Sequence, residues 1–264
     1  MTNFPITTET KAATLGATNA VFIGRSLRHS LRNTEALVMA IALPIMLMLL
    51  FTYVFGGAID PGGDYVTYVV PGIILLCAGY GSSITAVDVA ADMTNGIIER
   101  FRTMPIKSIH VITGHVVASL ARNLLATGVV IGVALLVGFR SNASFWEWLG
   151  AIGIIVLFIL TFTWLYAAIG LVASSPAVAS SYGFALLFVP YLSSAFVPTE
   201  TMPNWIQGVA ENQPITPVIE AIRGLLTGNL DNSNVWWALG WCLVILLGSY
   251  VWCTWTFLRK AGSR

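Results

Sequence analysis

Charge is what this chain has least of. Only 9% of its 264 residues are Asp, Glu, Lys or Arg, while 56% are hydrophobic, and the mean hydropathy is +0.80. A water-soluble domain carries about 25% charged residues, so most of this chain has to face lipid or other apolar helices. Lysine is scarcer still: Lys11, Lys107 and Lys260 follow Thr10, Ile106 and Arg259, never Gly. A phosphate-binding loop of the G-x-x-x-x-G-K-[ST] type needs Gly before its Lys, so ATP binding and hydrolysis by that route are excluded. Cysteine is limited to Cys77, Cys242 and Cys253, each inside an apolar run and without metal-ligand spacing. These read as small core residues. Histidine is limited to His29, His110 and His115. The last two are five apart, on different helix faces, and neither opens an H-E-x-x-H site. They read as polar residues near a cytoplasmic helix end. Gly79-Tyr80-Gly81-Ser82 loosely suggests a serine nucleophile, but such an enzyme needs a base within hydrogen-bond reach. Small residues for close helix packing are the simpler reading. No catalytic, metal-binding or cofactor-binding residue is expected, and nothing in the charge pattern calls for a nucleic-acid partner.

What is there is a set of long apolar runs. A spanning helix needs about 20 mostly apolar residues. Ala36–Phe55 qualifies, with Pro44 a kink site. Tyr65–Val87 qualifies, as does Val116–Val137 despite Arg122. Trp148–Val197 has no charged residue and is too long for one crossing, and Ser174-Ser175-Pro176 divides it into two. Val235–Leu258 is the last. The fold class expected is therefore an all-α polytopic membrane protein with six transmembrane helices. The first 14 residues are polar and the first apolar stretch is about 20 long, so no cleaved signal segment is expected.

An even number of crossings puts both termini on one side. Lys11, Arg25, Arg28, Arg32, Arg100, Arg102, Lys107, Arg259, Lys260 and Arg264 fall there, and only Arg140 and Arg223 fall opposite. Positive residues mark the cytoplasmic side, which predicts a multi-pass protein of the cytoplasmic membrane with both termini inside. Trp146, Trp148, Trp236 and Trp237 then fall at the outer boundary, and Trp252 and Trp255 at the inner one, as an aromatic belt requires.

Four features interrupt this pattern. After a cytoplasmic N-terminus over 1–14, Ala20, Ile23, Leu27 and Leu31 line one helical face and Arg25, Arg28 and Arg32 another. This reads as an amphipathic helix over 15–34 lying in the membrane interface, or as an ordinary positive flank. Between the second and third crossings, 95–105 is a charged island. Gly96 opens it and Pro105 closes it; Ile97, Phe101 and Met104 form an apolar face, with Glu99, Arg100 and Arg102 around it. A short helix of this kind inserts its aromatic into a partner's groove and sets register with its charges. Arg122 lies in mid-span, where an arginine is costly and faces protein or a wet cavity. Asp88 is its nearest counter-charge, with a poor depth match by helix counting. A carbonyl, a hydroxyl such as Ser119, or another subunit are the alternatives, and its role is structural or part of a substrate path. Finally, over 198–231, apolar residues from Trp205 to Leu226 recur at helical intervals without making a full span, and Pro203, Pro214 and Pro217 break the run. Two short helices that dip into the outer leaflet and return are expected.

On these residues the chain resembles a known family. Gly96-Ile97-Ile98-Glu99-Arg100-Phe101-Arg102-Thr103-Met104-Pro105-Ile106 is similar to the coupling-helix region of type 2 ABC export permeases. The likeness is nearest to the daunorubicin-resistance group, which favours Asp-Arg-Phe-Arg-Ser-Leu-Pro there. Glu99, Thr103 and Met104 are mild departures. Gly114 fits the same pattern, and His115 stands where Arg is usual. Phe196-Val197-Pro198, Met202-Pro203-Asn204-Trp205, Asn212-Gln213-Pro214 and Ala221-Ile222-Arg223-Gly224-Leu225 follow the group's order in the outer hairpin, where Glu220 also falls. Gln213 separates Asn212 from Pro214, which are often adjacent in the group.

The resemblance implies one six-span permease domain over 35–258 with a cytoplasmic tail over 259–264. It implies no enzyme activity of its own: ATP and Mg would be bound by two partner ABC ATPase subunits pushing on the 95–105 helix. A second copy or a sister permease would complete the pore among membrane lipids. The cargo would be amphipathic drugs, antibiotics or lipids, moved outward. A stand-alone secondary carrier would need coupling ions, for which only Arg122 and Asp88 are relay candidates. An intramembrane enzyme lacks a nucleophile and base.

Overall fold

The computed structural model describes residues 34–60, 65–95, 109–229 and 231–262. The expected interfacial helix over 15–34, all but its last residue, lies outside them, as does Gly96 to Pro105.

Helix α1 runs over Thr34–Leu49, widens into a π-helical turn at Leu50–Phe55 and closes with Gly56–Ile59. Helices α2 (Tyr65–Thr94), α3 (Ile109–Val137) and α4 (Phe145–Val172) follow. Then come α5 (Pro176–Leu186), α6 (Asn204–Asn212), α7 (Ile215–Thr227) and α8 (Asn232–Gly262). Among the described residues five helices are long and apolar enough to cross a membrane: Leu37–Ile59, Tyr65–Thr94, Ile112–Val137, Phe145–Val172 and Asn232–Phe257. The chain is a polytopic, all-helical membrane protein.

The helix boundaries have local causes. Ser144 caps α4 by accepting from the Glu147 amide, and the Glu147 carboxylate accepts from the Ser144 amide at 2.6 Å. That reciprocal pair satisfies two otherwise orphaned donors. Ser175 caps α5, with Pro176 at the first helical position, where its missing N–H costs nothing. The Ser-Ser-Pro break therefore falls where the sequence puts it. Helix α5 stops at Leu186 because Pro190 cannot donate to the Leu186 carbonyl and its ring crowds that group. A tighter turn over Val189–Leu192 carries the segment on, so Pro176–Leu192 forms one short apolar unit rather than a regular long helix.

Two expectations are corrected. Helix α2 does not end at Val87 but continues through Asp88 and Asp92 to Thr94, and α3 begins at Ile109 rather than Val116. Charged residues mark no helix end here because they are paired across the two helices. Pro217 does not break the outer run either. It lies in the first turn of α7, where amides have no helical acceptor to lose.

Helix α2 is the hub. It is buried along most of its length and packs against α1, α3, α4 and α5. Its middle is built of Ala78, Gly79, Gly81, Ser82 and Ala86, small side chains that let neighbouring backbones approach. Lipid is as apolar as leucine, so close packing and interhelical hydrogen bonds hold such a bundle together. Helix α7 buries Ile215, Val218, Ile219, Ile222, Leu225 and Leu226 against α2, α4 and α8. Its apolar content is thus core, and the 198–231 segment is not a simple surface loop. All three cysteines are free and buried. Trp146, Trp205, Trp236 and Trp237 are exposed on the rim of the bundle.

Candidate functional site

Midway along the bundle α2, α3 and α4 meet through polar side chains. Asn123 donates from Nδ2 to Ser119 Oγ (3.2 Å) and to Ser82 Oγ (3.4 Å). Thr163 Oγ1 bonds Ser82 Oγ at 3.2 Å and pairs with Ser119 Oγ at 3.3 Å. Ser82 donates its own hydroxyl hydrogen bond to the Ala78 carbonyl (2.7 Å). All four side chains are buried. Buried hydroxyls and amides are costly unless bonded to one another, so the cluster fixes the rotation of three helices at once. Gly81 makes room for it: a Cβ there would lie 1.7 Å from Asn123 Oδ1.

Arg122 sits beside this junction and is 3% exposed. Its Nη2 donates to the Gly81 carbonyl at 3.0 Å, and its Nη1 stands 3.8 Å from Asp88 Oδ2. Two of the alternatives left open by the sequence thus hold together, a carbonyl and the Asp88 carboxylate. The depth mismatch disappears because the long guanidinium arm, not the helix position, spans the difference. Ser119 is engaged by Thr163 and Asn123 instead. One turn further along α2, Asp92 meets His115 of α3, Oδ2 to Nε2 at 3.0 Å, with both side chains largely buried. His115 is therefore more than a polar residue near a helix end.

At the opposite end of the bundle Arg223 of α7 gathers the outer elements. It pairs with Glu220 one turn back and donates from Nη2 to the Ser194 carbonyl (2.7 Å) and the Tyr68 carbonyl (3.2 Å). Its guanidinium lies 3.9 Å from the centre of the Tyr68 ring. Tyr68 and Tyr65 in turn donate to the Ser194 and Phe196 carbonyls (2.9 and 2.7 Å). The irregular backbone after α5 thereby gains partners for its carbonyls, as buried non-helical backbone requires. Thr216 donates to the Ala210 carbonyl and joins α7 to α6. A cavity of about 510 Å³ opens beside this knot, lined by Asp60, Thr67, Tyr68, Glu220, Arg223 and Asp231 among others. Pro203 and Pro214 precede α6 and α7, and Trp205 stands exposed on α6.

Of the residues singled out in the sequence, Arg122 and Asp88 come together, as do Glu220 and Arg223. The two sets lie in different parts of the molecule, the first near its middle and the second at one end. Gly96, Ile97, Glu99, Arg100, Phe101, Arg102, Met104 and Pro105 lie outside the described residues. Asp92, Asn123, Thr163 and Tyr68 were missed. Asp92 had a legible signal, its four-residue spacing from Asp88, which puts both carboxylates on one helix face. The others look like ordinary span residues until their partners are known.

The sequence model of the family described as ABC-2 type transporter matches residues 19–227, a stretch that includes the charged island, Arg122 and helices α6 and α7. The chain belongs to the ABC-2 type transporter family. It is a membrane permease of that class, whose subunits work with separate ATPase subunits. Among its relatives is a daunorubicin resistance ABC transporter permease of Streptomyces coeruleorubidus, 29% identical over 214 residues, which are 80% of this chain and 74% of that one. Another is a probable doxorubicin resistance ABC transporter permease of Mycobacterium tuberculosis, 27% identical over 226 residues, 83% of this chain and 82% of that one.

Proposed function

We propose that this permease carries amphipathic drugs, antibiotics or lipids outward across the cytoplasmic membrane, driven by two ATPase chains docked on the 95–105 segment. The observation that carries the reading is the family match over 19–227, which runs through the docking segment and the outer hairpin in one stretch. The relatives' names supply the cargo class. The lack of any Gly-Lys pair in the sequence supports the assignment of ATP and Mg to the partners. Two permease chains, identical or sisters, form the pore.

The membrane carries six crossings in this reading. Pro176–Leu192 is the fifth; its helical length of about 25 Å is at the short end of what a bilayer core needs. Counting it returns both termini to the Lys- and Arg-rich side, which is the cytoplasm. The Arg223 knot and α6–α7 then face outward and form a re-entrant hairpin, and the polar junction closes the middle of each subunit. The wet path runs along the seam between the two permease chains.

Phe101 is the apolar anchor of docking. Truncating a central aromatic anchor costs about 2 kcal/mol or more of binding, so Phe101→Ala should weaken binding of the ATPase about thirtyfold or more. The check is purification of the tagged chain from native membranes into lipid, with ATP hydrolysis of the complex measured. Full retention and wild-type hydrolysis with Phe101→Ala would remove the docking assignment. Wild-type chain that holds no ATPase would remove the transporter reading.

A further inference from the structure

We propose that Asp92–His115 and Asp88–Arg122 are two rungs of a polar clasp that makes α2 and α3 move as one body when the segment linking them is pushed. The inference rests on the reading of 95–105 as the docking segment. Helix α2 ends at Thr94 and α3 begins at Ile109, so the two helices are the stems on which that segment is carried. Asp92 is in the last turn of α2 and His115 in the second turn of α3, which places the first rung at the root of the stems. The second rung is one turn deeper on α2 and two turns deeper on α3. Four-residue and seven-residue steps each return to the same helix face, so both rungs lie along one seam. The rise is about 6 Å on α2 and about 10 Å on α3, and the reach of Arg122 closes the difference.

The surroundings strengthen the clasp. Val89 and Met93 flank Asp92 on α2, and Ile112 and Val116 flank His115 on α3. These four pack into an apolar cluster with Ala168 and Leu171 of α4 and Phe257 of α8. The side chains of the first rung are 12% and 13% exposed, and those of the second 4% and 19%. Polar contacts in such surroundings are stronger than at a wet surface, and opening one costs more than it would in water. A helix pair pinned only by apolar contacts can slide, because small residues and lipid offer equivalent packing. A pair pinned by a buried hydrogen bond and an ion pair cannot slide without opening both. Asp92 and His115 are positioning residues, which act by carrying displacement into α2, the hub of the bundle.

The test uses the whole complex in inside-out vesicles, with daunorubicin as the transported probe and ATP hydrolysis measured in parallel. Asp92→Ala should keep the ATPase bound and hydrolysis within about twofold of wild type, while daunorubicin moved per ATP falls about tenfold. The exchanged pair Asp92→His with His115→Asp should restore the ratio to within about threefold, and His115→Arg should keep it. A purely structural contact would lower assembly and hydrolysis together and leave the ratio unchanged, so an assembled Asp92→Ala complex with the wild-type ratio overturns the clasp. So does an exchanged pair that fails to recover assembly or coupling if Asp92→Ala proves unable to assemble. Wild-type chain without any bound ATPase overturns the docking reading itself, and the clasp with it.

Discussion

Gly81→Ala should be among the most damaging single-methyl additions in this bundle, and the structure sets the scale. The new Cβ would fall 1.7 Å from Asn123 Oδ1 and 2.7 Å from Asn123 Cγ, so the Asn123 side chain has to leave. It has nowhere easy to go, since it is fully buried between Ser82 and Ser119. One interhelical hydrogen bond, to Ser82, and one within α3, to Ser119, are lost, together about 1 kcal/mol in a membrane bundle. Overpacking adds about 1–3 kcal/mol, so Gly81→Ala should cost about 2–4 kcal/mol. Asn123→Ala alone loses the same bonds without the clash and should cost about 1–2 kcal/mol. The double variant removes the obstacle and should match Asn123→Ala within about 0.5 kcal/mol, a strongly non-additive pair. The assay is the apparent Tm in one detergent at one scan rate for all four proteins. Additive losses in the double variant would refute the reasoning, because the clash would then not be with Asn123.

Gly72→Ala should be worse than Gly81→Ala. Its Cβ would meet the backbone of Ala195, 2.7 Å from the carbonyl oxygen and 2.8 Å from Cα, and no rotamer relieves that. Loss of most membrane-inserted protein, measured by detergent-soluble monodisperse yield, is the expected outcome. Arg223→Ala should cost about 2–3 kcal/mol by stripping the Ser194 and Tyr68 carbonyls and Glu220 of a charged donor, and should speed proteolysis between 198 and 214. Arg223→Lys should fall between, because a point ammonium cannot reach both carbonyls and stack on Tyr68; full recovery with Lys would contradict that geometry. A single cysteine at Trp205 in a background lacking Cys77, Cys242 and Cys253 should react with impermeant thiol reagents from outside intact cells, and labelling only from the cytoplasm would reverse the topology.

Periodicity, charge deficit and the placement of Lys and Arg were enough to determine that this is a helical membrane protein, where α1, α4 and α8 run, and that the chain breaks at Ser174-Ser175-Pro176. These are local or one-dimensional properties: a run of about 20 apolar residues spans, and Ser before Pro caps a new helix. The same reading exposed Arg122 as a costly residue with Asp88 its nearest counter-charge, and found α6 and α7 from their apolar spacing. Only the tertiary structure decided which groups meet. Asp88 and Asp92 look like the end of a span until Arg122 and His115 arrive from α3 to pair with them, and then the helix runs on to Thr94. Asn123 looks like a tolerated polar residue until Gly81, Ser82, Ser119 and Thr163 surround it. Arg223 looks like a stray external charge until the Tyr68 and Ser194 carbonyls converge on it from elements far apart in sequence. Hydrophobic pattern fixes which residues avoid water, because that preference belongs to each residue alone. Pairing of buried polar groups depends on the rotation and offset of helices against one another, and no single helix carries that information in its own sequence.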